Sequence, residues 1–279
     1  MLQLLFTVFF LMITLESAQT QTMKCLSYNI RFDNPKDGEN RWDNRKENMR
    51  AQIRFLEPDV FGVQEALAHQ VKYLDENLEA YTFVGVGRDD GQESGEYSAL
   101  FYKKTIFNLL QSGTFWLSES PEVPSKAWDA ALPRICTYAL LEYKNSGKQC
   151  WVFNTHFDHV GVQARLNSAK LILQQIQAFN KNKQPVVLMG DFNARPKDAP
   201  IQAIKEEMLD SQAAEGVLKF GQEGTFNGFQ IDHSSDGRID YIFLSQGSFK
   251  VKKYAVLSEL IRQRFISDHF PVFVELEMN

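Results

Sequence analysis

Cysteine is scarce in this sequence, which contains three among 279 residues: Cys25, Cys136 and Cys150. They do not have the paired spacing typical of zinc ligands, so their pattern does not indicate a zinc site. All three lie within apolar, strand-like runs, which predicts buried thiols. The spacing leaves open whether two of them form a disulfide.

The sequence also has no excess of positive charge. Its 30 Lys and Arg residues and 35 Asp and Glu residues give a formal net charge of -5. No overall positive field therefore attracts the protein to a polyanion such as duplex DNA. Affinity for phosphate must come from a local site. Such a site could bind a small or single-stranded phosphate ester as well as a nucleic acid.

No stretch is rich enough in Pro, Gly or Ser to form a linker, and no segment repeats. The composition, with 44% apolar and 23% charged residues, is that of an ordinary globular protein. We therefore predict one domain over residues 21–279, with two equal domains as the weaker alternative.

A long apolar run occurs only at the N-terminus, where residues 1–15 are nearly all apolar. Small and polar residues follow at positions 16–19, as they do after the apolar core of a signal peptide. We predict that residues 1–20 are a signal peptide and that the protein is secreted or periplasmic. The run lacks the Lys or Arg that usually precedes such a core, and an uncleaved membrane anchor is the alternative.

Apolar periodicity predicts strands and helices in alternation at the start of the chain. The predicted elements are a strand at 23–30, a helix at 41–56, a strand at 60–63 and a helix at 67–78. From residue 81 to residue 151, aromatic and β-branched runs predict an antiparallel meander, with strands at 97–102, 107–116 and 135–143.

A helical pattern returns in the second half, where Leu166, Ala169, Leu173 and Ile176 form one apolar stripe. The remaining runs predict strands at 185–189, 239–244, 249–256 and 270–276. This order of elements predicts mixed β-sheets covered by helices.

Polar side chains recur where the predicted strands end. Six segments share this feature: SYNI at 27–30, VQE at 63–65, NTH at 154–156, GDFN at 190–193, RIDY at 238–241 and SDH at 267–269. Each alone is explained by the use of Asn, Asp and Gly in turns. Together they supply the hard oxygen ligands, the base and the hydrogen-bond donors that metal-dependent phosphate hydrolysis requires.

In this chain order the segments resemble the endonuclease/exonuclease/phosphatase superfamily, which includes DNase I, abasic-site endonucleases, inositol phosphatases and deadenylases. GDFN, RIDYIF and SDH carry the resemblance most strongly, and it extends from about residue 23 to the C-terminus. It implies a DNase I-like α/β (α+β) four-layer sandwich, in which two packed mixed or antiparallel β-sheets are flanked by helices. The active site of such a catalytic domain lies at one edge of the sheets.

The resemblance also implies a Mg²⁺ site, at which Mn²⁺ could substitute. Asn29 and Glu65 would hold the ion, with Glu65 as the principal ligand and Asp268 beside it. Asp191 would orient or deprotonate the attacking water, and Asn193 would donate a hydrogen bond to the phosphoryl oxygens.

Two histidines complete the catalytic set that the resemblance implies. His269 would contact the phosphate or transfer a proton, and its hydrogen bond to Asp240 would fix its tautomer and raise its basicity. His156 would be the second histidine, oriented by Glu96.

Four further residues are candidates for binding substrate. Arg134 stands at a strand start where the resemblance often places a phosphate-binding arginine, although a surface arginine fits equally well. Arg31 follows the first metal-ligand strand. Asp158 and His159 extend NTH into NTHFDH, where they could contact substrate or a second metal, or belong to a solvated loop.

The sequence thus predicts a Mg²⁺-dependent hydrolase of phosphate esters, either a phosphodiesterase or nuclease or a phosphatase. Its substrate would be a phosphorylated small molecule, a nucleotide or a nucleic acid. We expect a monomer without an obligate protein partner. The alternatives are an inactive module that binds a phosphorylated ligand, and a phospholipase-type phosphodiesterase, which would need an exposed apolar loop to contact a bilayer.

Overall fold

The computed structural model describes residues 21–231 and 237–279. The predicted signal peptide, residues 1–20, lies outside the described residues. So does His233, for which the sequence predicts a structural or surface position.

Within the described residues, thirteen strands form two β-sheets. The strands are β1 (Gln21–Asn29), β2 (Val60–Gln64), β3 (Tyr81–Val84), β4 (Leu100–Lys103), β5 (Phe107–Trp116), β6 (Ile135–Tyr143), β7 (Gln149–His156), β8 (Val186–Asp191), β9 (Met208–Asp210), β10 (Leu218–Gly221), β11 (Asp240–Ser245), β12 (Phe249–Val256) and β13 (Val272–Met278). The first sheet has the order β10-β12-β13-β1-β2-β4-β3, and the second has the order β5-β6-β7-β8-β11-β9.

In the part of the chain that the structure describes, four α-helices lie outside the sheets: α1 (Trp42–Leu56), α2 (Ala68–Asn77), α3 (Val162–Phe179) and α4 (Ala199–Glu207). A short 3-10 helix, Pro35–Asn40, precedes α1. Strands β1 and β2 are parallel, and so are β7 and β8. A parallel pair needs a crossover connection, which α1 supplies in the first sheet and α3 in the second.

Three buried apolar clusters hold the layers together. The central cluster lies between the sheets and includes Cys25 and Val274 from the first sheet and Val152 and Met189 from the second. A second cluster joins the second sheet to α3 and α4, and a third joins the first sheet to α1 and α2. The predicted four-layer sandwich of two sheets flanked by helices is therefore confirmed.

The prediction of one meander over residues 81–151 is wrong. Strands β3 and β4 pair with each other in the first sheet, whereas β5, β6 and β7 form an antiparallel meander in the second. Alternation of apolar residues identifies strands, but it carries no information about which sheet a strand joins.

The three cysteines are buried free thiols, as their apolar surroundings predict. No helix among the described residues is long and apolar enough to cross a membrane.

Candidate active site

The polar strand ends meet because of strand direction. β1 and β2 end together at Asn29 and Gln64, and antiparallel β13 begins beside them after Asp268 and His269. In the second sheet β7 and β8 end at His156 and Asp191, and antiparallel β11 begins opposite Asp191. A hydrogen bond of 2.9 Å from Asn29 Nδ2 to Asp191 Oδ2 joins the two groups across the sandwich.

A cavity of about 530 Å³ opens at this edge. Most of the predicted site residues line it, and the full lining comprises Arg31, Phe32, Glu65, Glu96, Leu132, Arg134, His156, His159, Asp191, Asn193, Phe226, Ile239, Asp268 and His269. Three sequence candidates, Asn29, Asp158 and Asp240, lie behind this wall and contact the lining residues.

Asp191 is the centre of the site. Its Oδ2 lies 3.5 Å from His156 Nε2 and 3.7 Å from His269 Nε2, and its Oδ1 accepts the backbone N–H of Asn193 at 2.9 Å. Burial, reinforced by the charge of Asp240, raises the pKa of Asp191 to about 7. A carboxylate with this pKa is suited to accept a proton near neutral pH.

Three of the lining residues have a left-handed backbone conformation: Arg31 (φ 56°), Glu65 (φ 63°) and Asn193 (φ 45°). This region is unfavourable for residues other than Gly, Asn and Asp, so Arg31 and Glu65 are strained there while Asn193 is tolerated. Such strain persists only where the surrounding contacts enforce it, and it concentrates at functional sites. Here it turns each side chain from the end of its strand toward the cavity.

His269 is held as a cation. Its Nδ1 lies 2.9 Å from Asp240 Oδ2 in a fully buried pair. Burial opposes protonation, but the carboxylates of Asp240 and Asp191 outweigh it and raise the pKa of His269 well above its ordinary value. The expected pairing of Asp240 with His269 is present, and Nε2 remains free to face the cavity.

His156 is held neutral. Burial and the nearby guanidinium of Arg134 lower the pKa of His156 well below its ordinary value. Arg134 Nη1 lies 3.0 Å from His156 Nδ1, and a guanidinium can only donate. On the other side of the ring, His156 Nε2 lies 3.1 Å from Asn193 Nδ2 and 3.5 Å from Asp191 Oδ2.

Glu96 does not orient His156 directly as the sequence predicted. Its Oε2 is 3.8 Å from His156 Nδ1, beyond hydrogen-bond distance. Arg88 Nη1 binds that oxygen at 2.6 Å, and Arg134 Nη1 contacts His156 Nδ1 in its place. Arg88 is buried and was missed by the sequence analysis. It stands in an acidic, glycine-rich loop outside the strand-end motifs, so no pattern indicated that its side chain turns inward.

The predicted substrate-binding residues divide into two groups. Arg134 and His159 face the cavity, with Arg134 Nη2 3.0 Å from His159 Nδ1. Asp158 instead lies behind the wall, where its oxygens accept four backbone N–H groups, those of Ala131, Leu132, Val160 and Gly161. It is buried and not part of a solvated loop, and it fastens together the loop that carries Leu132 and the loop that carries His159.

The site contains a group of ligands suited to a metal ion. Glu65, Asp191 and His269 each offer an atom, and these three atoms lie within 4.8 Å of one another. Asp268 adds a further buried carboxylate, and burial raises its pKa to about 6. Buried carboxylates with raised pKa values lack sufficient positive charge around them, and a divalent cation would supply it.

This group of ligands differs from the predicted one. Asn29 directs its amide nitrogen at Glu65 Oε1 (3.0 Å) and Asp191, while its Oδ1 accepts the backbone N–H of Arg31 at 3.0 Å. In this arrangement the amide nitrogen of Asn29 bridges the two carboxylates, and its oxygen faces the backbone of Arg31. Asp191, expected as a base, and His269, expected as a proton donor, both lie close to Glu65. The charged His269 ring has no lone pair for a metal, so the ligands available there are carboxylates.

A turn at residues 225–229 supports the catalytic pair and was also missed. Thr225 Oγ1 accepts the backbone N–H groups of Ile239 and Asp240, and Asn227 N–H donates to Asp268 O at 2.8 Å. Phe226 packs edge-on against the His269 ring at 5.0 Å. Single polar residues in a turn give no sequence signal, because turns use them everywhere.

Comparison with known proteins agrees with this geometry. Residues 26–269 match the model of the endonuclease/exonuclease/phosphatase family. A solved structure of a protein of this family from Bacteroides thetaiotaomicron is 38% identical, covers 94% of this chain and 99% of that chain, and superposes with a TM-score of 0.89.

Two further relatives have more specific descriptions. A mannosyl-6-phosphatase from Bacteroides thetaiotaomicron VPI-5482 is 39% identical, covers 91% of this chain and 99% of that chain, and has a TM-score of 0.87. Protein angel of Drosophila melanogaster is 27% identical over 235 residues, which make up 78% of this chain and 63% of that protein.

Proposed function

This chain belongs to the endonuclease/exonuclease/phosphatase family and hydrolyses phosphoester bonds, and from that premise we propose that it is a Mg²⁺-dependent phosphatase of small phosphate monoesters. The observation that carries the proposal is the arrangement around Asp191. One carboxylate able to accept a proton lies within 3.7 Å of a charged imidazole, His269, and within 3.5 Å of a neutral one, His156.

The residues of the chain divide the chemistry between them. Asp191 orients the attacking water and accepts its proton. The His269 imidazolium, kept charged by Asp240, donates from Nε2 to a phosphoryl oxygen, and Asn193 Nδ2 adds a second donor as charge develops there.

The carboxylates of Glu65 and Asp268 would hold Mg²⁺, or Mn²⁺ in its place, with Asp191 and the His269 imidazolium beside the ion. When bound, the ion supplies positive charge to polarise the phosphoryl group and to favour ionisation of water.

Three features favour a small monoester over a nucleic acid. The cavity holds about 530 Å³ and its cationic side chains are few, chiefly Arg31, Arg134 and the His269 imidazolium. The net charge of -5 provides no field for a long polyanion. The similarity to a mannosyl-6-phosphatase, which extends over 91% of this chain, suggests a sugar phosphate.

The proposal includes export and a monomeric state. The apolar residues 1–15 support export with cleavage near residue 20. N-terminal sequencing of the protein exported by the cells that express it tests cleavage. Analytical ultracentrifugation measures its mass in solution and tests the monomeric state.

The function is tested by hydrolysis of a panel with Mg²⁺ and with EDTA. The panel contains mannose 6-phosphate, a nucleoside 5′-monophosphate, a phosphodiester, a single-stranded oligonucleotide, a duplex and phospholipid vesicles. We expect Mg²⁺-dependent release of inorganic phosphate from the two monoesters. Metal-dependent cleavage of the oligonucleotides would instead make the protein a nuclease, headgroup release from vesicles would favour the phospholipase alternative, and no turnover at all would contradict the proposal.

A further inference from the structure

Arg31 lies among three carboxylates at the edge of the candidate metal site. Its Nη1 is 3.8 Å from Glu65 Oε2, and its Nε is 3.7 Å from Asp268 Oδ2. Both of these carboxylates belong to the group that would face a metal ion. Both distances are too long for a hydrogen bond, so the guanidinium lies near both carboxylates without being hydrogen-bonded to either.

The carboxylate that pairs with Arg31 is Asp37. Arg31 Nε donates to Asp37 Oδ2 at 2.9 Å and Nη2 donates to Asp37 Oδ1 at 3.1 Å, which is the two-point geometry of a strong Arg–carboxylate pair. Asp37 lies in the 3-10 helix Pro35–Asn40, outside the strand-end motifs. The comparison of distances shows that Asp37, and not the metal-site carboxylates, determines where the guanidinium rests.

The local chain fixes Asp37 in place. Its backbone N–H donates to Asn34 O at 3.0 Å, and Asn34 Nδ2 donates to Asp37 Oδ1 at 3.1 Å. Only 11% of the Asp37 side chain and 24% of the Arg31 side chain are exposed, so solvent screens the pair only in part. On the other side, the guanidinium carbon lies 4.6 Å from the centre of the Phe32 ring.

Removal of the Asp37 charge would change the balance of charges. The guanidinium would lose its two-point partner and retain Glu65 and Asp268 less than 4 Å away. A shift of about 1 Å would let the guanidinium form hydrogen-bonded ion pairs with both carboxylates. An arginine paired there would compete directly with a divalent cation for the same oxygens.

We propose that Asp37 is a positioning residue that holds Arg31 off Glu65 and Asp268 and thereby keeps these carboxylates available to the metal ion. This inference rests on the proposed function, because it assigns a divalent cation to the site. The inference gives Asp37, in the 3-10 helix Pro35–Asn40, a role in how tightly the site binds a cation. Arg31 in turn keeps Nη1 directed into the cavity, where a phosphate would meet it.

Isothermal titration with Mg²⁺ or Mn²⁺, without substrate, tests the inference independently of turnover. We expect Asp37→Asn to weaken cation binding about tenfold. The double variant Asp37→Asn with Arg31→Met should bind the cation as Arg31→Met alone does, because the competing guanidinium is gone. Asp37→Glu, which keeps the carboxylate, should stay within about threefold of the wild type.

Asp43→Asn is the matched control. It removes the same charge from an exposed carboxylate that pairs with Lys46 on α1, and it should leave cation binding unchanged. If Asp37→Asn does not fold, Asn34→Ala removes one hydrogen bond to Asp37 and should weaken binding in the same direction.

Two results would overturn the inference. Wild-type affinity in both Asp37→Asn and Asn34→Ala would show that Arg31 is held by other contacts. Equal weakening in Asp37→Asn and in the double variant would show that Asp37 does not act through Arg31. A wild-type protein that binds neither cation would contradict the proposed function itself, and the inference with it.

Discussion

His269 and Asp240 form the contact on which the proposed proton donation depends. Asp240→Asn keeps the shape of the partner but removes its charge. We expect kcat to fall by about 10²–10⁴-fold, because the imidazolium loses the carboxylate that stabilises it.

The pH profile of the same variant has a defined direction. The pKa of His269 is raised above its ordinary value, so the charged form is present at neutral pH and is lost as the pH rises through the raised pKa. Without the Asp240 charge that loss moves to lower pH, and the alkaline limb of kcat against pH should shift toward the acid side. Asp198→Asn, an exposed carboxylate in a surface turn, serves as the control, and an unmoved limb in Asp240→Asn would contradict the assignment.

Asp158 is expected to stabilise the fold. Burial disfavours its charged form, but four backbone N–H donors outweigh burial and lower the pKa of Asp158 to about 2. Asp158→Asn replaces an acceptor by an amide that cannot accept all four bonds. We expect a loss of about 2 kcal/mol in the free energy of unfolding at pH 7, measured by urea denaturation.

This stabilisation should depend on pH in one direction only. A carboxylate with a lowered pKa stabilises the folded state above its unfolded pKa of about 4. The contribution is lost as the pH falls from about 4 through 2. The difference between wild type and variant should therefore shrink below pH 4, and a constant difference down to pH 2 would contradict the role of the charge.

At the level of single residues, the sequence predicted the side chains carried by strand ends and missed those carried by loops. His156 and Asp191 end strands with clear apolar patterns and His269 precedes one, which is why their convergence could be expected. Arg88 and Asp37 act on the site through Glu96 and Arg31, which lie eight and six residues from them in loops. Such pairing depends on how loops fold back, and loop sequences do not encode it in a periodic pattern.

Among the elements, the two sheets are joined by the buried side chain of Asn154, in addition to the Asn29–Asp191 hydrogen bond and apolar packing. Asn154 on β7 donates from Nδ2 to Val63 O and Ala99 O in the first sheet and accepts from Gln64 Nε2 at 2.7 Å. It lies directly over Gly62 of β2, where an added Cβ would come within 2.6 Å of the Asn154 amide. The glycine is therefore required by the close approach of the sheets.

Gly62→Ala should push Asn154 from this position and destabilise the fold by about 1–3 kcal/mol, as overpacking of a core does. Thermal unfolding measures the effect. Gly237→Ala, at a glycine with no heavy atom within 4 Å of the added Cβ, is the control and should be close to neutral. A neutral Gly62→Ala would show that the sheets are less tightly joined than this contact implies.

Most elements were predictable because their burial follows a period. The strands at 107–116, 135–143 and 249–256 have the predicted bounds. The short elements α4, β9 and β10 were not predicted. All four residues of β10 are exposed, so it has no buried face to produce an alternating pattern.

For the whole molecule, the order of strands and helices predicted mixed sheets, but the resemblance was needed to predict their packing as a sandwich. Two sheets pack through side chains that are far apart in the chain, such as Cys25 and Val152. Periodicity describes one strand at a time and cannot specify that partnership. The hydrogen bond from Asn29 to Asp191 likewise exists only across the packed sheets.

The most direct test of the central claim combines cation binding with phosphate release. Inorganic phosphate liberated from mannose 6-phosphate is measured for the wild type and for Glu65→Gln while Mg²⁺ is removed with EDTA and then restored. The account predicts loss of activity on removal, full recovery on restoration, and a Glu65→Gln variant that is reduced at least about 10²-fold and needs more Mg²⁺. Phosphate release that persists in EDTA, or a Glu65→Gln variant equal to the wild type at every Mg²⁺ concentration, would contradict it.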